Sequence, residues 1–345
     1  MSESSLVSVL TPTYNHEEYI IDCIQSVLAQ SYKNWEQIIL NDGSNDKTGE
    51  IVFSYQNRDS RIIYISQSNR GVSHLVDNYN DILGITKGEY IAILEGDDFW
   101  PADKLDNMVS AMEAHPDVIL AYGYTEVVDN RVFSASRRSW AIPGEAFVNK
   151  HKEVLNNIPI GGLTKVMLNG SVMMPVSTLI RRSALDSIGG FHTVEDGHAV
   201  DLATILELSL IGPFLFIPEI LGFWRRHESQ MSSSIYLDKI MKADYNYSIQ
   251  FMERNAGILG LTEQERFLVR KKWERDWTGV NIRLGRSYLL QHNWKGARDQ
   301  FLQVLVKRPN QPFFKYAVFG LVAALFHIDL IFFERMSFVR LWRSK

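Results

Sequence analysis

Cysteine is almost missing from this chain: Cys23 stands alone among 345 residues. A disulfide framework is therefore excluded, and a core thiol explains this cysteine better than a nucleophile, because it falls in an apolar helical pattern. No G-x-x-x-x-G-K-[ST] phosphate loop occurs, nor a G-x-G-x-x-G after the first strand-like run, so the usual NTPase and dinucleotide fingerprints are absent. The opening MSESSLVSVLTPTYN has neither a basic n-region nor a long apolar stretch, which speaks against a secretory signal and fits a reducing cytoplasm. No long basic block accompanies the formal net charge of −4, so nothing points to a nucleic-acid partner. What remains is ordinary globular material, 46% hydrophobic and 22% charged, enough for one large domain and an appendage.

The most informative stretch runs from Gly88 to Pro101, GEYIAILEGDDFWP. Tyr90 to Leu94 is apolar and too short for a helix, so it reads as a buried strand. It ends on Glu95, Asp97 and Asp98. Three carboxylates at the end of a buried strand repel one another unless cations or water surround them. A hard divalent cation, Mg²⁺ or Mn²⁺, suits such a loop and completes its shell with water and substrate phosphates. The competing reading makes Asp98 a cap, since Pro101 suits a first helical turn and Leu105, Met108, Val109 and Met112 follow at helical spacing.

Earlier residues repeat a pattern. Leu6 to Leu10 is strand-like and ends at Thr11-Pro12-Thr13-Tyr14-Asn15; Asn15 and Glu18 have the spacing of a capping box ahead of the stripe Ile20, Ile21, Ile24, Val27 and Leu28. Trp35 to Leu40 is a second strand that ends in Asn41-Asp42-Gly43-Ser44, and Arg61 to Ile65 is a third, followed by the helical stripe Leu75, Val76, Tyr79, Ile82 and Leu83. Strand–helix alternation predicts a mostly parallel α/β sheet flanked by helices, with ligands beyond the carboxyl ends of the strands. The polar signals lie at those ends. Singly, Asn15 is a cap and Asp42 a turn residue; together with the acidic loop they describe a nucleoside diphosphate site, where Asp42 accepts a base N–H and Tyr14 offers a stacking face.

The stretches VSVLTPTYNHEEYIIDCIQSVLAQSYKNWEQIILNDGSNDKT and NRGVSHLVDNYNDILGITKGEYIAILEGDDFWP closely resemble the N-terminal half of the inverting glycosyltransferase family 2, which includes cellulose, chitin and hyaluronan synthases and many bacterial polysaccharide enzymes. P-T-Y-N, N-D-G-S and the D-x-D-like E-G-D-D stand in that family's order. The resemblance covers residues 5 to 120 well and weakens toward 232. It implies the GT-A fold, a nucleotide-sugar donor and a divalent metal, Mn²⁺ or Mg²⁺. On this likeness Pro12, Tyr14 and Glu18 line the nucleotide pocket, Asp42 contacts the base, usually uracil, and Asp97 is the chief metal ligand. Glu95 stands where the family more often has Asp; its longer arm reaches either the ribose or, through water, the metal.

Residues 171 to 192, SVMMPVSTLIRRSALDSIGGFH, resemble the segment that precedes the family's catalytic acid. Two candidates follow. Glu195-Asp196 keeps the family's E-D letters, whereas Asp201 keeps the spacing to Gly212 and opens the helical pattern Leu202, Ile205, Leu206, Leu208. Asp201 is favoured as the base, with Asp196 as the alternative. FWRRHESQMS resembles the family's R-x-H-x-x-S tail, which puts positive charge from Arg225 and Arg226 at the diphosphate and His227 on the metal or the pyrophosphate; this is favoured over the competing account of a merely solvated basic run. The Q-x-x-R-W of processive members is absent.

Val118 to Phe133 reads as strands with a turn at Asp129-Asn130, and residues 134 to 170 read as an irregular acceptor-side connection containing Arg137, Arg138, His151 and Lys152. The expected division is a GT-A domain over 1–232, split near 120 into donor and acceptor halves, and an all-helical appendage over 233–345. Leu284, Gly285, Tyr288, Ala297, Phe301 and Pro309 stand at the intervals of one tetratricopeptide unit, which either packs on neighbouring helices or binds a partner. Residues 317–333 are very apolar yet include His327 and Asp329; with Lys315, Arg335, Arg340, Arg343 and Lys345 around them they suit a membrane surface, and a buried terminal helix has similar letters. The expected activity is metal-dependent inverting transfer, from a UDP-sugar to a glycan or lipid-linked acceptor, in the cytoplasm or on the inner face of the membrane. A sugar nucleotidyltransferase needs a glycine-rich basic loop that Thr11 to Asn15 does not supply. The alternative from another class is a non-catalytic nucleotide-sugar-binding or scaffold protein that docks through its helical tail.

Overall fold

In the computed structural model, which describes residues 4–129, 141–193, 200–227, 229–230, 234–307 and 313–328, the first apolar run becomes β1 (Val7–Thr13), buried along its whole length. Next come α1 (Ile20–Leu28), β2 (Trp35–Asn41), α2 (Thr48–Gln56), β3 (Ile62–Ser66), α3 (Leu75–Ile85), β4 (Tyr90–Ile93) and α4 (Lys104–Ala114). Helix α1 turns Ile20, Cys23, Ile24 and Val27 inward, the 3-and-4 spacing of an amphipathic helix laid on a sheet.

The second part adds β5 (Leu120–Asp129), β6 (Ala141–Ile142), α5 (Glu145–His151), α6 (Gly162–Met167), β7 (Thr178–Arg181), α7 (Arg182–Ile188), α8 (Asp201–Leu208) and β8 (Phe214–Arg226). One eight-stranded sheet results, in the order β3-β2-β1-β4-β7-β5-β6, with β8 on β5. Four pairings are parallel, namely β1 with β2, β2 with β3, β1 with β4, and β5 with β8; those of β7 with β4 and β5, and of β6 with β5, are antiparallel. Following these directions across the sheet, β8 runs the same way as β1 and β4. All three therefore deliver their carboxyl ends to one rim, and the order reverses between β1 and β4, the place where open α/β sheets bind ligands.

Three local expectations need correction. The Asn15–Glu18 capping box does not form: α1 starts at Ile20 behind Tyr19 with no side-chain cap. Asn15 instead takes a left-handed φ of 54°, donates its N–H to Ser44 Oγ and accepts the Asn45 N–H, so it ties the P-T-Y-N loop to the N-D-G-S loop. Asp98 is not a cap either, because α4 begins at Lys104 behind Asp103. The connection after β6 is not irregular, since it contains α5 and α6. Arg137, Arg138, Asn130, Glu195 and Asp196 lie outside the described residues.

Contacts divide the chain into two units: residues 1–230 with 250–259, and residues 231–249 with 260–345. The helical elements from residue 234 onward are α9 (Ser234–Asn255), α10 (Glu263–Leu290), α11 (Trp294–Lys307) and α12 (Phe314–Leu325). A capping box between Thr262 and Glu265 starts α10. Phe301 of α11 wedges between Gly285 of α10 and Gly320 of α12; a Cβ at either glycine would lie 2.7 or 2.2 Å from its ring. That close approach explains the tetratricopeptide-like letters at Leu284-Gly285 and Phe301 as packing residues. Among the described residues no helix is long and apolar enough to cross a membrane.

Phe301→Ala removes the wedge and leaves both glycines facing a void. It is expected to destabilise the helical unit by about 3–5 kcal/mol, seen as an earlier urea transition in the helical circular dichroism signal. An unshifted transition would show that the ring does not hold the three helices together.

Candidate active site

Thr13, the last residue of β1, organises the rim. Its carbonyl accepts the Asp42 N–H at 3.0 Å, and the adjacent Pro12 carbonyl accepts the Gly96 N–H at 3.2 Å. Position 96 has no room for a side chain, because a Cβ there would come within 2.4 Å of Thr13 Oγ1. The acidic loop after β4 is thereby drawn flat against the end of β1, and ligand oxygens of Glu95, Asp97 and Asp98 come within 4.8 Å of one another.

Each carboxylate has a different partner. Glu95 accepts the Tyr79 hydroxyl at 2.7 Å; Asp98 accepts the Arg225 N–H at 2.8 Å; Asp97 Oδ2 lies 3.0 Å from His227 Nε2 and 3.9 Å from His16 Nε2. Burial and the neighbouring Asp97 and Asp201 charges push Glu95 up to about 8. Asp98 rises well above the carboxylate range, through burial and then Asp97 and Glu95. For Asp97 burial acts in the same direction, but the charges of His16 and His227 and the His227 hydrogen bond outweigh it and hold this carboxyl low. Burial lowers His16, whose Nδ1 is fixed 3.1 Å from Thr13 Oγ1.

Arg225 braces the loop from β8. Its Nε donates to the Asp97 carbonyl and its Nη2 to Asp22 of α1, while the guanidinium lies 5.2 and 4.9 Å from the ring centres of Tyr19 and Phe99. Strand alternation sends the next residue the other way: Arg226 is exposed and stacks over Trp224 at 5.1 Å. The structure thus brings Arg225, and not Arg226, to the acidic loop. Period two along β8 was the signal that could have sorted them.

The remaining expected residues are placed as follows. Pro12 is buried within β1, Tyr14 is 42% exposed at its end, and Glu18 is exposed in the turn before α1. Asp42 is buried; its Oδ1 accepts Gln67 Nε2 at 2.6 Å and the Arg70 N–H at 3.0 Å, and among the described residues its Oδ2 makes no hydrogen bond. Asp201 is the first residue of α8 and half-buried, and burial pushes it up to about 6. Two residues were missed as site residues: His16, which directly follows P-T-Y-N, and Tyr79, which reads in sequence only as part of an apolar stripe.

The donor set fits a divalent cation. Three carboxylates crowd together, two with their protons held abnormally tightly, and imidazole nitrogen stands beside the third. Hard oxygens with one or two imidazoles suit Mn²⁺ or Mg²⁺.

The sequence model described as glycosyl transferase family 2 matches residues 8–189. Among curated proteins, Glycosyltransferase GlyG of Streptococcus pneumoniae is 27% identical over 232 residues, covering 66% of this chain and 73% of that protein. UDP-Glc:alpha-D-GlcNAc-diphosphoundecaprenol beta-1,3-glucosyltransferase WfgD of Escherichia coli is 34% identical over 172 residues, 50% of this chain and 63% of that one. Among solved structures, S. aureus TarS 1-349 superposes with a TM-score of 0.53 at 16% identity, over 92% of this chain and 88% of that chain. Mannosyltransferase PcManGT from Pyrobaculum calidifontis gives 0.51 at 16% identity, over 100% and 89%. At that identity the structural likeness concerns the fold.

In a chelator, Glu95→Gln is expected to be more stable than the parent, by a margin that widens as pH rises from 4.5 through about 8. The sign follows from linkage: Glu95 keeps its proton to higher pH when folded than when unfolded, so the folded parent loses stability as pH climbs through that window. Allowing for solvent access at the carboxylate, the margin at the upper end is on the order of 1 kcal/mol. Urea denaturation at stepped pH reads it, and a margin independent of pH would refute the acidic crowding.

Proposed function

Because the chain belongs to glycosyl transferase family 2, we propose that its β1–β4 rim transfers a sugar, with inversion, from a UDP-sugar to a glycan or lipid-linked acceptor in bacterial polysaccharide synthesis. The observation that carries this reading is the convergence of Glu95, Asp97, Asp98 and His227 at the sheet's switch point, with Asp42 at the end of the neighbouring strand. The WfgD name states a UDP-glucose donor and a diphosphoundecaprenol-linked acceptor, which supports the uracil base and the lipid-linked acceptor. Solved proteins of this fold held UDP-GlcNAc in one case and GDP-Man with Mn²⁺ in another. Those titles support a nucleotide-sugar donor.

Asp42 Oδ2 accepts a base N–H, and Tyr14, exposed at the end of β1 next to the Thr13 whose carbonyl holds the Asp42 N–H, supplies a stacking face. Asp97 with His227, supported by Asp98 and Glu95, would hold the divalent cation. When bound, that ion supplies Lewis acidity to the departing diphosphate. Arg225 keeps the Asp97 carbonyl and the Asp98 carboxylate in place. Asp201 takes the proton of the acceptor hydroxyl as its oxygen bonds to the anomeric carbon and the bond from that carbon to the diphosphate oxygen breaks on the opposite face. A carboxylate raised to about 6 is ionised at neutral pH and still a better base than an ordinary aspartate.

Asp97→Ala is expected to abolish transfer with the circular dichroism spectrum unchanged, since it removes a ligand and no core packing. Asp201→Asn should lower kcat by about 10²–10⁴-fold while UDP with Mn²⁺ still raises the melting temperature. In the parent, kcat should fall as pH drops through about 6, and the variant's residual rate should lack that step. Full activity of Asp201→Asn would remove this residue from the mechanism, and donor turnover at background with every acceptor tried would leave only a nucleotide-binding protein.

A further inference from the structure

Helix α12 is built inside out. The face it buries carries Ala317, Gly320, Ala323 and Ala324, whereas Phe314, Val318, Val322, Leu325 and Phe326 project outward. Val322 is 42% exposed, Leu325 53% and Phe326 75%. These positions recur at helical spacing, so they form one continuous stripe, with Lys315 as the charged residue on it. A surface helix normally turns its large apolar residues inward and polar ones to water. Here the small residues suffice for close approach to the Phe301 wedge, and the large ones serve nothing within the described structure. Twelve residues rise only about 18 Å, well short of the roughly 30 Å hydrocarbon core of a bilayer. Such a helix cannot span; it can lie in the interface with its apolar side down.

Charge decides the occupant. The overall net charge of −4 conceals a division: the helical unit holds 18 Lys and Arg against nine Asp and Glu, and the sheet-containing unit 18 against 31. Bias is steeper toward the end of the chain, where residues 300–345 hold seven basic and two acidic side chains. A second copy of the same unit would meet like charge, whereas an anionic surface would be attracted. We infer that the outer face of α12 docks the protein on an anionic lipid surface, the apolar stripe entering the interface, Lys315 engaging headgroups and the net positive charge of the helical unit adding long-range attraction. This does not rest on the donor-site reading, and its test needs no sugar transfer.

Full-length protein is sedimented with vesicles of phosphatidylcholine alone and of an equal mixture with phosphatidylglycerol. Binding is expected to the mixed vesicles and at least about tenfold less to the neutral ones, weakening as salt is raised. Val318→Ser, Val322→Ser and Leu325→Ser combined should lower binding to mixed vesicles by about tenfold or more. The same triple variant should keep the parent's helical circular dichroism spectrum and melting temperature, which guards against simple unfolding. No binding, equal binding to both vesicle types, or binding undiminished in the variant would overturn the inference. So would a dimer, seen by light scattering, that the triple substitution dissolves, for the face would then join copies of this chain.

Discussion

Three carboxylates whose oxygens approach within 4.8 Å of one another repel, and the rim of the sheet is shaped by the need to hold them there without an internal counterion for each. Asp97 gains from two imidazoles, Asp98 from one backbone N–H, and Glu95 from one phenol. Apart from the two imidazoles, these partners are a neutral backbone N–H and a neutral phenol, and none is an arginine or lysine side chain. Arg225 is the nearest candidate, yet its Nε is spent on the Asp97 carbonyl and its Nη2 on Asp22. The result is an acidic site braced from behind and undercompensated in front, which is what a cation carrying a diphosphate needs. Stability is given up locally so that binding can restore it.

The brace explains why the sheet has to be completed before the site exists. Asp97 and Asp98 follow β4, but Arg225 and His227 arrive from β8, some 130 residues later, after the chain has built β5 to β7 and the five helices α4 to α8. The parallel pairing of β8 with β5 brings this end to the correct rim. A reversed β8 would carry the same letters to the opposite edge. Topology here does chemistry's work.

Much of this was legible in the letters. Apolar runs of strand length ending in Thr13, Asp42 and Glu95 place polar groups at the same rim because strands of a parallel sheet end together. The acidic loop itself was readable from like-charge repulsion alone. What escaped reading depended on partners distant in sequence. Asn15 has the spacing of a cap, but a loop 30 residues away competed for its side chain and won. Tyr79 looked like any inward residue of an amphipathic helix, because periodicity locates a ring and says nothing about its hydroxyl. Arg225 and Arg226 are indistinguishable as a pair of letters and opposite as positions on a strand. The formal charge of the whole chain likewise averaged away a division that follows the two structural units.

One chain of contacts joins the halves of the sheet-containing unit chemically. Asn80 of α3 exchanges two hydrogen bonds with the backbone of Phe191, at 3.0 and 2.8 Å, and Gly190 before it sits at a φ of 96° where a Cβ would strike the Asn80 side chain at 2.5 Å. Phe191 packs on the Tyr79 ring at 5.0 Å, and that tyrosine's hydroxyl holds Glu95. From Phe191 the chain reaches His192, whose N–H is fixed by Thr204 Oγ1 in the first turns of α8, the helix that Asp201 begins. The far end of that helix is fixed too: Asn157 Nδ2 donates to the Ser209 carbonyl at 2.9 Å. The G-G-F segment therefore does more than precede an acid in sequence. It sets the distance between the acidic loop and the carboxylate proposed as base, close enough that the charge of Asp201 contributes to raising Glu95. The Tyr79–Phe191 ring contact on one side and the His192–Thr204 hydrogen bond on the other thus link the loop of Glu95 to the helix that Asp201 begins.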